Sequence, residues 1–320
     1  IHPKQRFSKS AKSISISPDI LKEAIQKFGR LSSSYTSEVL SGGFSNANFL
    51  VGDEKGKFVF RFSTNDSGAA EMERGLLALL SETPVKVPAI YGYLETHGVS
   101  VTVMEYICGV TLEDKLLNEA NIDLGLFEEL GQQLAHIHNI KFEKAGFFGP
   151  KASPGEEFEN SSLFLKAYLD KSLEALEARP ERLEPQTNKR LRCLLDEKWE
   201  LAIASETIKQ LVHCDFNPKN ILVSSGEVRA VLDWEFSWVG NGLMDFGNFF
   251  RFADDYPAGA QEKFVAGYRS LRSLPNNWED VSKIIDAGNM CFLLERKEEQ
   301  PETLRTAKTV IDSALIHFGF

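Results

Sequence analysis

The chain reads as an α+β protein, because a sheet-rich first third precedes a remainder in which helical periodicity dominates. Three stretches predict this. Lys57-Phe58-Val59-Phe60-Arg61-Phe62 alternates cleanly, as a half-buried strand does. The runs Ile90 to Leu94 and Val99 to Tyr106 add strands after it. Beyond Cys108-Gly109, spacings such as Phe127, Leu130, Leu134 and Ile137 belong to helices. The expectation is a five-stranded antiparallel sheet with one helix, followed by a mainly helical part. The boundaries are an arm over 1–17, a first lobe over 18–106 and a second lobe over 107–320.

Composition sets the outer bounds. The 320 residues suffice for one large domain or two lobes, and 42% hydrophobic with 26% charged residues is ordinary for a globular chain. No apolar run approaches the ~20 residues needed to cross a membrane. The charged start, Ile1-His2-Pro3-Lys4-Gln5-Arg6, has no apolar stretch behind it, so no signal peptide is expected. The start without Met suggests a processed end. Cys108, Cys193, Cys214 and Cys291 lack metal-ligand or redox spacing, which points to a reduced, cytoplasmic setting. A net charge of −10 argues against nucleic acid as a partner and is compatible with cationic small molecules.

The elements follow in order. Residues 1–17 are rich in Ser and Lys and read as a mobile arm. Ser17-Pro18 starts a helix whose apolar positions are Ile20, Leu21, Ala24, Ile25 and Phe28. Two β-prone runs then bracket Ser41-Gly42-Gly43-Phe44-Ser45-Asn46. Glycines there let the backbone approach a ligand, and amides in such a turn can cradle phosphate oxygens; a plain glycine hairpin is the alternative. In the next strand Phe58, Phe60 and Phe62 share one face, leaving Val59 and Arg61 on the other. Ser67 to Leu80 reads as a helix with Met72, Leu76, Leu79 and Leu80 on its apolar face, carrying Glu71 and Glu73.

In the second part, His136 and His138 point to different helix faces, one core and one surface. Phe147 to Gly155 reads as a loop, and Leu165 to Leu176 as a helix. Glu177 to Lys189 reads as a helix connection before a helix over Leu191 to Ile208. Further helices are expected around Ala260 to Ser273, Trp278 to Glu295 and Pro301 to Phe318.

The chemistry concentrates in residues 211–233. Ile221 to Val223 and Val228 to Leu232 flank Ser224-Ser225-Gly226-Glu227, a hairpin signal. The returning strand brings Asp233 beside Asn220, pairing a carboxylate with an amide oxygen, as magnesium sites beside phosphate require. Upstream, His213-x-Asp215-x4-Asn220 matches a catalytic-loop pattern of phosphoryl transfer.

His213-Cys-Asp-Phe-Asn-Pro-Lys-Asn-Ile-Leu222, followed by Leu232-Asp-Trp-Glu235, resembles the aminoglycoside phosphotransferase and choline kinase family. These are small-molecule kinases with a two-lobed protein-kinase-like fold. The resemblance covers most of residues 35–255. It implies ATP or GTP and Mg as cofactors, and transfer of the γ-phosphate to a hydroxyl of an aminoglycoside-, choline- or sugar-like acceptor. Asp215 would serve as base, with Asn220 also catalytic, and Asn220 and Asp233 would hold the metal. Ser41, Gly42, Gly43, Ser45 and Asn46 would form the nucleotide-phosphate loop. Backbone groups of Glu105 to Ile107 would read the adenine edge. Arg61 stands where the family carries a Lys on the phosphates, with Glu73 as its helix partner and Glu71 as runner-up. A solvated first-turn acid is the alternative for both.

Other assignments stay open. Lys219 is a phosphate contact or loop surface, and Glu235 a second metal ligand, an acceptor contact or a turn acid. Asp254 and Asp255 bind a cationic acceptor or start a helix. His213 is structural. Asp245-Phe246-Gly247 spells a kinase metal motif but lies too far past Asn220 for the hairpin to return it. Asp245 resembles instead the family Asp that supports the catalytic loop. No Ala-Pro-Glu follows, which counts against a protein kinase. A nucleotide-binding pseudokinase or regulatory module without turnover is the alternative reading.

Overall fold

The structure is a computed structural model that describes residues 16–40, 46–63, 67–296 and 301–320. Most of the expected arm, and Ser41, Gly42, Gly43 and Ser45 of the glycine turn, lie outside the described residues, as does the side chain of Asn46.

Helix α1 (Pro18–Phe28) starts where the Ser17 hydroxyl accepts the Ile20 N–H, with Pro18 in its first turn. It stops at Gly29, whose φ of +67° suits a residue without a Cβ. Five strands follow: β1 (Thr36–Leu40), β2 (Asn46–Asp53), β3 (Gly56–Ser63), β4 (Ile90–Thr96) and β5 (Val99–Glu105). They form one sheet in the order β1-β2-β3-β5-β4, with every pair antiparallel. The phenylalanine face of β3 packs under α1, where Phe60 and Phe62 join Leu21, Ala24 and Ile25 in one core. Arg61 therefore projects from the opposite face.

Helix α2 (Ser67–Ser81) lies between β3 and β4 in the chain, yet it does not share that core. Its Met72, Leu76, Leu77 and Leu80 join the larger core of the C-terminal part. It packs against a short 3₁₀ turn at Pro150–Ala152. The contact is backbone to helix: a Cβ on Gly75 would lie 2.1 Å from the carbonyl carbon of Lys151. Only glycine permits this approach.

The C-terminal part runs through β6 (Val110–Thr111), α3 (Leu112–Asn118), α4 (Gly125–His138), β7 (Ala145–Phe148) and β8 (Pro154–Phe158). It continues with α5 (Ser161–Glu177), α6 (Pro185–Ser205), β9 (Gln210–Val212), β10 (Ile221–Ser224), β11 (Glu227–Val231) and β12 (Trp238–Gly240). Helices α7 (Leu243–Phe250), α8 (Ala260–Arg269), α9 (Trp278–Glu295) and α10 (Pro301–Phe318) close it. Two expectations need correction. The 147–155 stretch is not plain loop, because β7 and β8 extend a sheet of order β8-β7-β12-β9. And α6 begins within the expected connection, where Pro185 supplies a preset φ for its first turn. Among the described residues no helix is long and apolar enough to cross a membrane.

The β10–β11 hairpin turns through Ser225 and Gly226, both at positive φ (54° and 79°), the turn geometry that matches strand twist. Its register pairs Ile221 with Val231, and the Leu232 N–H donates to the Asn220 carbonyl at 2.7 Å. Asp233 is thereby brought to the level of Asn220.

Because the Lys151 backbone cannot retreat as a side-chain tip can, Gly75→Ala is expected to cost about 1–3 kcal/mol of stability. Denaturant unfolding checks this; an unchanged midpoint would mean that the helix shifts freely.

Candidate active site

The loop between β9 and β10 carries Asp215 and Asn220, and buried polar groups hold it in shape. Cys214 has a φ of +66°, a left-handed conformation that costs a residue with a Cβ about 1–2 kcal/mol. Asp245, fully buried at the start of α7, sustains it. One carboxylate oxygen accepts the Cys214 N–H and the other the His213 N–H, both at 2.8 Å. Asn248, one helical turn on, donates to the Cys214 carbonyl at 2.6 Å. Behind Asp245, His138 contacts the carboxylate through Nε2 at 3.1 Å and the Tyr268 hydroxyl through Nδ1 at 2.9 Å. Burial lowers the His138 pKa below its ordinary value, against the opposing pull of Asp245.

His213 bridges the two sides of the loop. Its Nδ1 accepts the Asp215 N–H at 3.2 Å, so Nε2 carries the proton it donates to the Leu232 carbonyl at 3.0 Å. Both ring nitrogens are thus spent on backbone.

The Asp215 carboxylate is oriented by two amides. Asn217 Nδ2 donates to Oδ1 at 2.6 Å and Asn220 Nδ2 to Oδ2 at 2.7 Å. Burial raises the Asp215 pKa above the usual aspartate value; the Asp233 charge adds to the rise, while Asn220 and Arg251 oppose it. Since the Asn220 nitrogen serves Asp215, its carbonyl oxygen faces elsewhere. Asn217 was not among the residues singled out in the sequence. Its signal was the Asp-x-Asn-Pro spacing, in which an amide two residues on can reach back to the carboxylate.

Across the cleft, Arg61 spans two carboxylates. One guanidinium nitrogen meets Glu73 Oε1 at 2.7 Å and the other Asp233 Oδ1 at 2.9 Å, with Glu235 3.7 Å away. Burial pulls the Arg61 pKa down, but Glu73, Asp233 and Glu235 outweigh it and hold the group above its ordinary value. Glu73 also accepts the Trp234 N–H at 3.3 Å. Asp233 itself adopts a φ of +66°. Glu71 faces away and pairs with Arg74 at 3.7 Å.

The structure thus brings together Asp215 with Asn220, and Arg61 with Glu73, Asp233 and Glu235. Glu105 ends β5, its N–H donating to the Ala89 carbonyl at 2.8 Å, and Ile107 follows in the extended segment before β6. Asp254 is exposed and Asp255 half-buried in a separate 3₁₀ turn after α7. Lys219 Nζ lies 4.0 Å from Glu113. Arg251, half-buried and paired with Asp286 through two bonds of 3.0 and 2.6 Å, was not singled out either. In sequence it is only the polar end of an aromatic run.

The donor set fits magnesium. Asn220 offers an amide oxygen and Asp233 a carboxylate, hard ligands of the number that magnesium takes from a protein when waters and phosphates complete its shell. Among the described residues no group of three or more His, Cys, Asp or Glu side chains forms an all-protein metal cage.

The pattern of the phosphotransferase enzyme family matches residues 36–282. Solved structures share the fold. A thermostable mutant of aminoglycoside phosphotransferase APH(4)-Ia, in ternary complex with AMP-PNP and hygromycin B, is 18% identical with a TM-score of 0.70, covering 94% of this chain and 98% of that one. A candidate aminoglycoside phosphotransferase from Ralstonia eutropha jmp134 is 16% identical with a TM-score of 0.69, covering 95% and 98%. A candidate fructosamine-3-kinase from Haemophilus somnus 129PT is 15% identical with a TM-score of 0.61, covering 93% and 97%. At such identities the likeness shows the fold alone. No curated protein matches the chain.

Buried His138 makes the stability of the fold depend on pH. With its folded pKa below the ordinary 6.5, the unfolded chain takes up a proton that the folded one does not. Stability from this group therefore falls as the pH drops below about 6.5. Denaturant unfolding at about pH 7.5 and pH 5.5 should show a larger loss for the native protein than for His138→Gln. Equal losses would contradict the assignment.

Proposed function

The chain belongs to the phosphotransferase enzyme family, and on that premise we propose that it transfers the γ-phosphate of ATP or GTP, with magnesium, to a hydroxyl of a small molecule. The observation that carries this reading is the Asp215 carboxylate, held by the Asn217 and Asn220 amides at 2.6 and 2.7 Å beside the hairpin that returns Asp233. Asp215 accepts the acceptor's hydroxyl proton as its oxygen bonds to the γ-phosphorus and the bond to the nucleoside diphosphate breaks. Burial raises its pKa, which makes it a better proton acceptor than an exposed aspartate. Asn220 and Asp233 would hold the metal, which when bound would neutralise charge on the phosphates.

Arg61, kept in place by Glu73, grips the α- and β-phosphates, and its planar fork suits them. The 41–46 turn cradles phosphate, and the backbone of Glu105 to Ile107 reads the base. Glu235, Asp254 and Asp255 are the candidate acceptor contacts. For a polyhydroxylated acceptor, the reading draws support from the AMP-PNP and hygromycin B complex of the APH(4)-Ia mutant. The net charge of −10 suits cationic acceptors such as aminoglycosides or choline-like amines.

The test is nucleoside diphosphate release with magnesium across aminoglycosides, choline, amino sugars and hydroxyamino acids. Turnover with one acceptor, reduced about 10²–10⁴-fold in Asp215→Asn while nucleotide still binds, is the expected result. A native protein that binds neither ATP nor GTP would overturn the reading.

A further inference from the structure

One polar side chain on the cleft face of the sheet has no part in the chemistry above. Asn48, in β2, lies directly opposite Arg61 of β3 on one side and Leu40 of β1 on the other. Residues paired across an antiparallel ladder project to the same face. The neighbours of Asn48 confirm the direction, since Ala47 and Phe49 pack with the α1 core and Asn48 must point the other way. It therefore stands beside Arg61 on the face that looks toward Glu73 and Asp233.

That face is covered unevenly. Helix α2 packs on it over β4 and β5, the far side of the sheet from β2. Asn48 is half-buried, and among the described residues no hydrogen bond engages its amide. Its amide reaches solvent, so its two N–H donors are open to a ligand that enters the cleft. The adjacent charge is a fixed guanidinium, so the complementary ligand is an anion that Arg61 and Asn48 can share.

We propose that Asn48 donates a hydrogen bond to a phosphate oxygen of the bound nucleotide, next to the phosphates gripped by Arg61. This rests on the nucleotide-dependent reading above and adds to it a polyphosphate contact within β2. Asn48 would then act on affinity for the phosphate chain and not on the nucleoside.

Calorimetric titration of the native protein and Asn48→Ala with magnesium-ATP, magnesium-ADP and adenosine tests this. The expected result is a loss of about tenfold or more for ATP and ADP, with adenosine binding and the thermal unfolding midpoint unchanged. Asn48→Ser, which keeps a short donor, should recover part of the loss, and Asn48→Asp, which places a negative charge against phosphate, should lose more than alanine. Unchanged ATP and ADP affinities in Asn48→Ala, or an equal loss for adenosine, would overturn the assignment while leaving the kinase reading intact. Absence of nucleotide binding by the native protein would instead overturn both.

Discussion

Arg61 joins two parts of the molecule that have separate cores. It rises from β3, whose other face is buried with α1, while Glu73 and Asp233 are mounted on elements that belong to the C-terminal core. Removing one partner from a buried ion pair typically costs about 3–5 kcal/mol, because the remaining charge is left without compensation. Losing Arg61 would leave Glu73, Asp233 and Glu235 clustered without a compensating charge, so the guanidinium fixes how the two parts meet. This also explains why Arg serves here: its fork reaches both acids at once, where an ammonium is a single point.

The position of α2 makes the tie more telling. In chain order this helix belongs with the sheet, but its apolar face and its backbone contact at Gly75 fasten it to the C-terminal part. Glu73 and Asp233 therefore sit on a common base, and Glu73 also binds the Trp234 backbone. Opening of the cleft would carry Arg61 away from both acids together. On the other side of the cleft, Asp245 and Asn248 from α7 hold the left-handed turn at Cys214 that aims Asp215. Both halves of the site thus depend on buried polar groups set in apolar helices.

Much of this was legible in the sequence, for a physical reason. Period-two alternation exposed the strand of Arg61, and a hairpin signal placed Asp233 against Asn220, since both depend on local backbone geometry. Long-range packing was not legible. Nothing near Gly75 announces that Lys151 lies against it, and β7 and β8 are too short and glycine-rich to alternate. Asn217 and Arg251 were missed because a turn amide and a half-buried arginine in an aromatic run carry no spacing of their own. Asn48 needed the strand register before it could be set beside Arg61.

The most direct measurement is a crystal structure of the protein with magnesium and AMP-PNP. The expected result is metal held between Asn220 and Asp233, the γ-phosphate facing Asp215, and Arg61 shifted from Asp233 onto the phosphates while it keeps Glu73. A nucleotide bound away from Asp215, or a metal that avoids both Asn220 and Asp233, would contradict it.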